Sequence, residues 1–170
     1  MKHLYLFPDI LLLIFLIFCI QGCGSALRYP NGYPDSAYPP GEAFQALNET
    51  EEYIWNEVRK WQGVPYKWGG ESRAGVDCSG FTKVIYQKLF DIRLPRTSEA
   101  QSGIGHPIPG KHFLQAGDLL FFQLPGKFHH VGIYLGKQKF IHASRSKGVK
   151  VSSLAQPFWQ RSYRTSRRVL

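Results

Sequence analysis

The first pattern along the chain is an unbroken apolar run, Ile10-Leu11-Leu12-Leu13-Ile14-Phe15-Leu16-Ile17-Phe18-Cys19-Ile20, preceded by Lys2 and His3. Its 11 residues fall short of the roughly 20 needed to span a bilayer and suit the apolar centre of a secretory signal peptide. A buried core helix is the alternative, but this run is apolar on every side and Pro/Gly-rich sequence follows it. From Gly24 to Gly41 neither a helical nor a strand period is present. Tyr29-Pro30-Asn31-Gly32-Tyr33-Pro34 and Tyr38-Pro39-Pro40-Gly41 read as an extended tether. Periodicity begins near Asn48. Asn48 and Glu51 have the spacing of a capping pair, and Ile54, Trp55 and Val58 make one apolar helical face. Gly63 to Gly75 reads as loop. A second helix starts at Cys78 or Ser79, because Phe81, Val84, Ile85 and Leu89 fall at i, i+3, i+4 and i+8. Beyond Pro95, Pro107 and Pro109 the pattern changes to short strand-like runs at Leu119–Phe122, His130–Leu135, Lys139–Ala143, Val149–Ser153 and Tyr163–Val169. Helices followed by a series of antiparallel strands predict an α+β fold, with N-terminal helices packed on the sheet.

Length and composition change this picture little: 170 residues with 44% hydrophobic and 19% charged content suit one folded domain with its own core. The cysteines change it more. Ile20-Gln21-Gly22-Cys23 resembles the lipobox of bacterial lipoproteins, an aliphatic and a small residue before the cysteine that is lipidated. The chain is thus expected to divide into a signal peptide at 1–22, a lipidated Cys23 with its tether at 23–47, and a single domain at 48–170. Gly24 follows the cysteine where an inner-membrane retention signal would place aspartate. In a Gram-negative cell the domain is therefore expected on the outer membrane, facing the periplasm. Cys19 would leave with the signal peptide, so Cys78 keeps the one free thiol and no internal disulfide is available. An exported protein that keeps an unpaired thiol in an oxidising compartment has a use for it, unless the residue is simply buried.

The net charge of +9 survives signal removal, since Lys2 and Asp9 cancel. Arg161, Arg164, Arg167 and Arg168 crowd the C-terminus. In a cytosolic protein such a patch would suggest nucleic acid. For an exported chain the anionic partners are wall polymers and lipid headgroups, so nucleic acid is not an expected partner. A solvated basic face with no specific partner is an equal reading.

Cys78 sits where the second helix begins. Unpaired N–H groups and the helix dipole favour a thiolate there, and the same N–H groups could hold an oxyanion. A hairpin turning at Gly136 to Gln138 would bring His130 and His142 opposite each other, with Cβ atoms about 5 Å apart. That suits a general base and the group that orients it. Strand alternation turns His129 to the other face from His130 and places Val131, Ile133, Leu135 and Ile141 against the helices. Zinc is the rival use of Cys and His, but no C-x-x-C or H-x-x-x-H pair accompanies them.

Six blocks now combine: Tyr66-Lys67-Trp68-Gly69-Gly70, Asp77-Cys78-Ser79-Gly80-Phe81, Leu94-Pro95-Arg96-Thr97-Ser98, Gly117-Asp118-Leu119-Leu120-Phe121-Phe122, His130-Val131-Gly132-Ile133-Tyr134-Leu135-Gly136 and Ile141-His142-Ala143. In this order they resemble the NlpC-type family of papain-like cell-wall cysteine peptidases, from about Glu51 to the C-terminus. The resemblance implies a papain-like fold and hydrolysis of peptidoglycan stem peptides, usually between D-γ-glutamyl and meso-diaminopimelate. It makes Cys78 the nucleophile, His130 the base and His142 the polar third member. Tyr66 matches a tyrosine near the oxyanion, or is an aromatic packed under the site loop. Ser79 and Arg96 match positions near the substrate groove; a helix-start hydrogen bond and a surface charge are the alternatives. Asp118 is read as fixing the turn before its strand. This chemistry calls for no metal and no organic cofactor. The expected partners are stem peptides and, through the lipid anchor, a membrane, with the domain a monomer. Lipid acyl transfer on a related fold usually places histidine before cysteine, and a transglutaminase-like site would want an acidic residue at His142. A wall-binding lipoprotein with a vestigial site is the rival from another class, and the intact Cys78, His130 and His142 argue against it.

Overall fold

The computed structural model describes residues 40–126 and 128–170. The signal peptide, Cys23 and the tether as far as residue 39 lie outside the described residues. The first helix, α1, spans Pro40–Val58 and so crosses the boundary expected at Asn48. Proline is tolerated in a first helical turn, where its missing N–H would have had no partner, and Glu42 to Leu47 contains several good helix formers. Asn48 is consequently an interior residue of α1 and not its cap. Ile54 and Val58 are fully buried, as the apolar face requires. A 3-10 turn at Arg59–Trp61 follows, and its Trp61 ring meets Phe81 edge-on at 5.8 Å.

A two-stranded hairpin, β1 (Glu71–Ser72) with β2 (Gly75–Val76), leads directly into α2 at Cys78–Phe90. Asp77 starts this helix: its Oδ1 accepts the Gly80 N–H at 2.7 Å, an N-cap bond that satisfies one of the unpaired amides of the first turn. Asp91 ends it with a left-handed backbone (φ 55°), from which Asp and Asn suffer less than most residues. A short helix, α3 (Ser98–Ser102), is capped by Thr97. Gln101 inside it is fully buried and donates to the carbonyls of Ser79 and Pro95, while its own oxygen accepts from Thr82. The loop carrying Arg96 is thereby fastened to the first turn of α2.

The remaining strands are β3 (His106–Pro107), β4 (Leu119–Leu124), β5 (Phe128–Tyr134), β6 (Lys139–Ser144), β7 (Gly148–Ser153) and β8 (Tyr163–Arg168), with a short helix α4 (Pro157–Ser162) before β8. They form one sheet in the order β3-β8-β4-β5-β6-β7, every pair antiparallel. Both faces of its centre are covered, which explains the continuous apolar run Leu119-Leu120-Phe121-Phe122. Leu119 and Phe121 join Val131, Ile133, Leu135 and Ile141 in a core shared with Ile54, Val58, Phe81 and Ile85 of the helices. Leu120 and Phe122 point the other way, into a second cluster with Tyr134, Phe140, Leu154 and Trp159. α2 contacts β5 and β6, the strands that carry the two histidines.

Candidate active site

Asp77 organises the helix start. Besides capping Gly80 it accepts the Gly69 N–H at 2.8 Å and the Ser79 hydroxyl at 3.2 Å, and both terminal nitrogens of Arg96 grip its carboxylate at 3.0 and 2.6 Å. Burial acts to raise this carboxyl, but the bonds from Arg96, Gly80 and Gly69 outweigh it and hold it below the usual carboxylate range. Arg96 also pairs with Glu71 at 2.7 Å and donates to Ser79 Oγ at 3.1 Å. The polar atoms of Ser79 and Arg96 are thus engaged with Asp77, which matches the helix-start hydrogen bond given as the other reading of Ser79. Arg96 is bound into an ion-pair network and is more than a lone surface charge.

Cys78 is buried. Burial pushes the thiol above its ordinary value. The amides of Val131, Ser79 and Cys78 pull it down, while the negative Asp77 adds to the rise. The helix-start stabilisation inferred from sequence is therefore present but outweighed, and the resting group is a thiol and not a thiolate.

His130 and His142 are both buried and meet through their rings: His130 Nε2 lies 2.9 Å from His142 Nδ1. They are not directly opposite, as the hairpin had suggested. The register pairs Ile133 with Ile141 and Tyr134 with Phe140, which sets His142 across from Gly132 and makes His130 its diagonal neighbour on the same face. Gly132 leaves that space open; a Cβ there would come 3.2 Å from His142 Cβ. The turn falls where expected, with Gly136, Lys137 and Gln138 all at positive φ. His129 is exposed, on the opposite side from His130. Burial lowers both imidazoles, His130 to about 4.

Three residues that the sequence reading gave no role complete the site. Asp77 carried a detectable signal, an acidic residue immediately before an apolar helix. Ser152 on β7 lies 3.0 Å from His142 Nε2, a contact that depends on β6–β7 register. Trp159 of α4 stacks on His130 (5.8 Å, 26° between planes) and meets His142 edge-on at 4.8 Å, and no sequence periodicity pointed to it. Tyr66 is half-buried against the helix-side core, bridged to Val76. Burial raises its phenol, and the negative Asp77 adds to the rise. Among the described residues no three His, Cys, Asp or Glu side chains gather as a metal site.

A cysteine at the start of a helix that packs on an antiparallel sheet defines the papain-like α+β class. Residues 63–168 match the NlpC/P60 family, and the chain belongs to that family. It is 38% identical over 122 residues to a murein DD-endopeptidase/murein LD-carboxypeptidase, MepS, of Escherichia coli K12, covering 72% of this chain and 64% of that protein. It is 45% identical over 116 residues to the probable endopeptidase NlpC of the same strain, covering 67% and 75%. Among solved structures, an NlpC/P60 family protein of Bacillus cereus ATCC 10987 superposes with a TM-score of 0.64 at 38% identity, covering 71% of this chain and 40% of that one. The chain thus spans slightly less than two thirds of the murein DD-endopeptidase.

Proposed function

We propose that this protein is a cysteine endopeptidase that hydrolyses peptidoglycan stem peptides, with Cys78 as nucleophile, His130 as general base and His142 as the residue that orients His130. The observation that carries the reading is the buried His130–His142 hydrogen bond on β5 and β6, the strands that α2 contacts. His130 Nε2 is engaged by His142, which leaves Nδ1 to take the thiol proton. With thiol and imidazole both neutral at rest, the proton moves to His130 as Sγ attacks the amide carbonyl. Charge on the tetrahedral oxygen is met by amides of the α2 start and by the Tyr66 hydroxyl. The imidazolium then protonates the leaving amine, and a water activated by the same imidazole releases the acyl group from sulfur. No step needs a cofactor.

The family resemblance supports cleavage between D-γ-glutamyl and meso-diaminopimelate. The name of the 38% identical relative favours a second bond, the D,D-crosslink. Mass spectrometry of digested muropeptides separates the two by fragment mass. Cys78→Ala should abolish product while the fold persists, since removing a catalytic nucleophile costs on the order of a millionfold. His130→Ala should be nearly as severe and substitution of the exposed His129 mild; equal losses would overturn the assignment of the base. The lipobox-like run supports a diacylated Cys23 holding the monomeric domain at a membrane of the cell envelope. Each buried acyl CH₂ contributes about 0.8 kcal/mol, so Cys23→Ser should move the protein out of the membrane fraction.

A further inference from the structure

We propose that Ser152 is a positioning residue, the terminal acceptor of a hydrogen-bond relay from His130 through His142 that holds His130 in the one tautomer able to act as base. The proposal rests on the assignment of Cys78 and His130 made above. A neutral imidazole carries a single N–H. For His130 to accept the thiol proton at Nδ1, its own proton must sit on Nε2, and Nε2 then donates across 2.9 Å to His142 Nδ1. That requirement fixes the next step: His142 must carry its proton on Nε2, from which Ser152 Oγ lies 3.0 Å away.

The opposite polarity is chemically possible, because a hydroxyl can donate as well as accept. Ser152 would then donate to His142 Nε2, His142 would donate to His130, and the His130 proton would occupy Nδ1, where it blocks the reaction. Proton transfer decides between them. When His130 becomes an imidazolium its Nε2–H must donate, so only the relay that ends on Ser152 as acceptor stabilises the charged state. Water is poorly placed to replace the serine. His142 is 2% exposed, with the Phe140 ring stacked at 5.1 Å and Trp159 at 4.8 Å, and neither face offers a lone pair of comparable strength. A buried N–H left without an acceptor is unfavourable. Removing Ser152 therefore penalises the productive tautomer and the imidazolium alike.

The test uses the full chain, with ¹⁵N-labelled histidine and steady-state kinetics on a soluble muropeptide. The imidazole ¹⁵N shifts should place the protons of both His130 and His142 on Nε2. Ser152→Ala should lower kcat about tenfold or more, since a misheld tautomer is costly in related triads, with KM held within about twofold. Ser152→Thr, which keeps the hydroxyl, should restore most of kcat. Ser166→Ala serves as the structural control: Ser166 is fully buried in the same sheet and accepts from the Tyr163 hydroxyl at 2.8 Å, remote from this relay. A His130 proton on Nδ1, or a kcat for Ser152→Ala no lower than that of Ser166→Ala, would overturn the relay. An active Cys78→Ala would instead overturn the assignment of the nucleophile, so the two failures are separable.

Discussion

Burial sets the protonation states of Cys78 and His130 before substrate arrives. It raises the thiol and lowers the imidazole to about 4, so neither group is charged at neutral pH. The sign of the second shift has a kinetic consequence. An ordinary histidine loses its basic form below about pH 6.5, whereas a depressed pKa keeps His130 basic further into acid. kcat/KM on a soluble muropeptide should therefore hold between pH 7 and about 5 and fall only as pH approaches the folded pKa. An acid limb near the ordinary histidine value would show that His130 is solvated in solution or is not the base. Stability moves in the same direction. Where the folded pKa lies below the unfolded one, the unfolded chain binds more protons, so the contribution is full above about pH 6.5 and is lost on acidification toward the folded pKa.

At the scale of elements, the join between α2 and the Gly69-Gly70 loop is the tightest contact of the site. A Cβ on Gly80 would stand 2.2 Å from the Gly70 carbonyl oxygen, which also accepts the Asp77 N–H at 3.2 Å. Two effects oppose each other in Gly80→Ala. Helix propensity favours alanine by up to about 1 kcal/mol, and less in a first turn, while overpacking against fixed backbone costs about 1–3 kcal/mol. The second should win. Denaturant melts should show net destabilisation, and the displaced loop should change the rate at which iodoacetamide alkylates Cys78; a stabilised variant with unaltered alkylation would refute the close join. How much could be read in advance follows the same division. The apolar phase of α2, the strand runs, the turn at Gly136 and the opposed faces of His129 and His130 were legible, because each is set by local periodicity. The histidine register was legible only to the face, because a two-residue offset keeps side chains on the same side of a sheet. The helices α3 and α4 were not anticipated. Each is short, and its hold on the fold comes from tertiary partners, Gln101 against Ser79 and Pro95 and Trp159 against the histidines. The early start of α1 was hidden by the Pro-Gly pair at its first turn.

Across the whole molecule, the C-terminal arginines read as surface charge in sequence, yet Arg168 is built into the fold. Its Nε and Nη2 each donate to Asp118 at 2.8 Å, and Nη2 also reaches the Phe113 carbonyl at 2.9 Å. Asp118 is 2% exposed and also accepts the Gln115 N–H at 2.6 Å, so it fixes the turn before β4 as expected and in addition ties β8 to it. Burial raises its carboxyl, with Arg168 and Gln115 pulling the other way. Arg168→Ala would leave that carboxylate buried without its cation, a loss of about 3 kcal/mol. Asp118→Asn in the same chain removes the stranded charge while keeping an oxygen for Gln115, so the double variant should be more stable than Arg168→Ala alone. Urea unfolding of the wild type, both single variants and the double variant gives the coupling directly. Neither side chain hydrogen-bonds to the histidines: β4 stands between β8 and the strand carrying His130 in the sheet order. Well below the melting transition, kcat of Arg168→Ala should therefore stay close to wild type. A double variant less stable than Arg168→Ala, or a collapse of kcat without loss of stability, would refute the assignment of this pair to holding the sheet together.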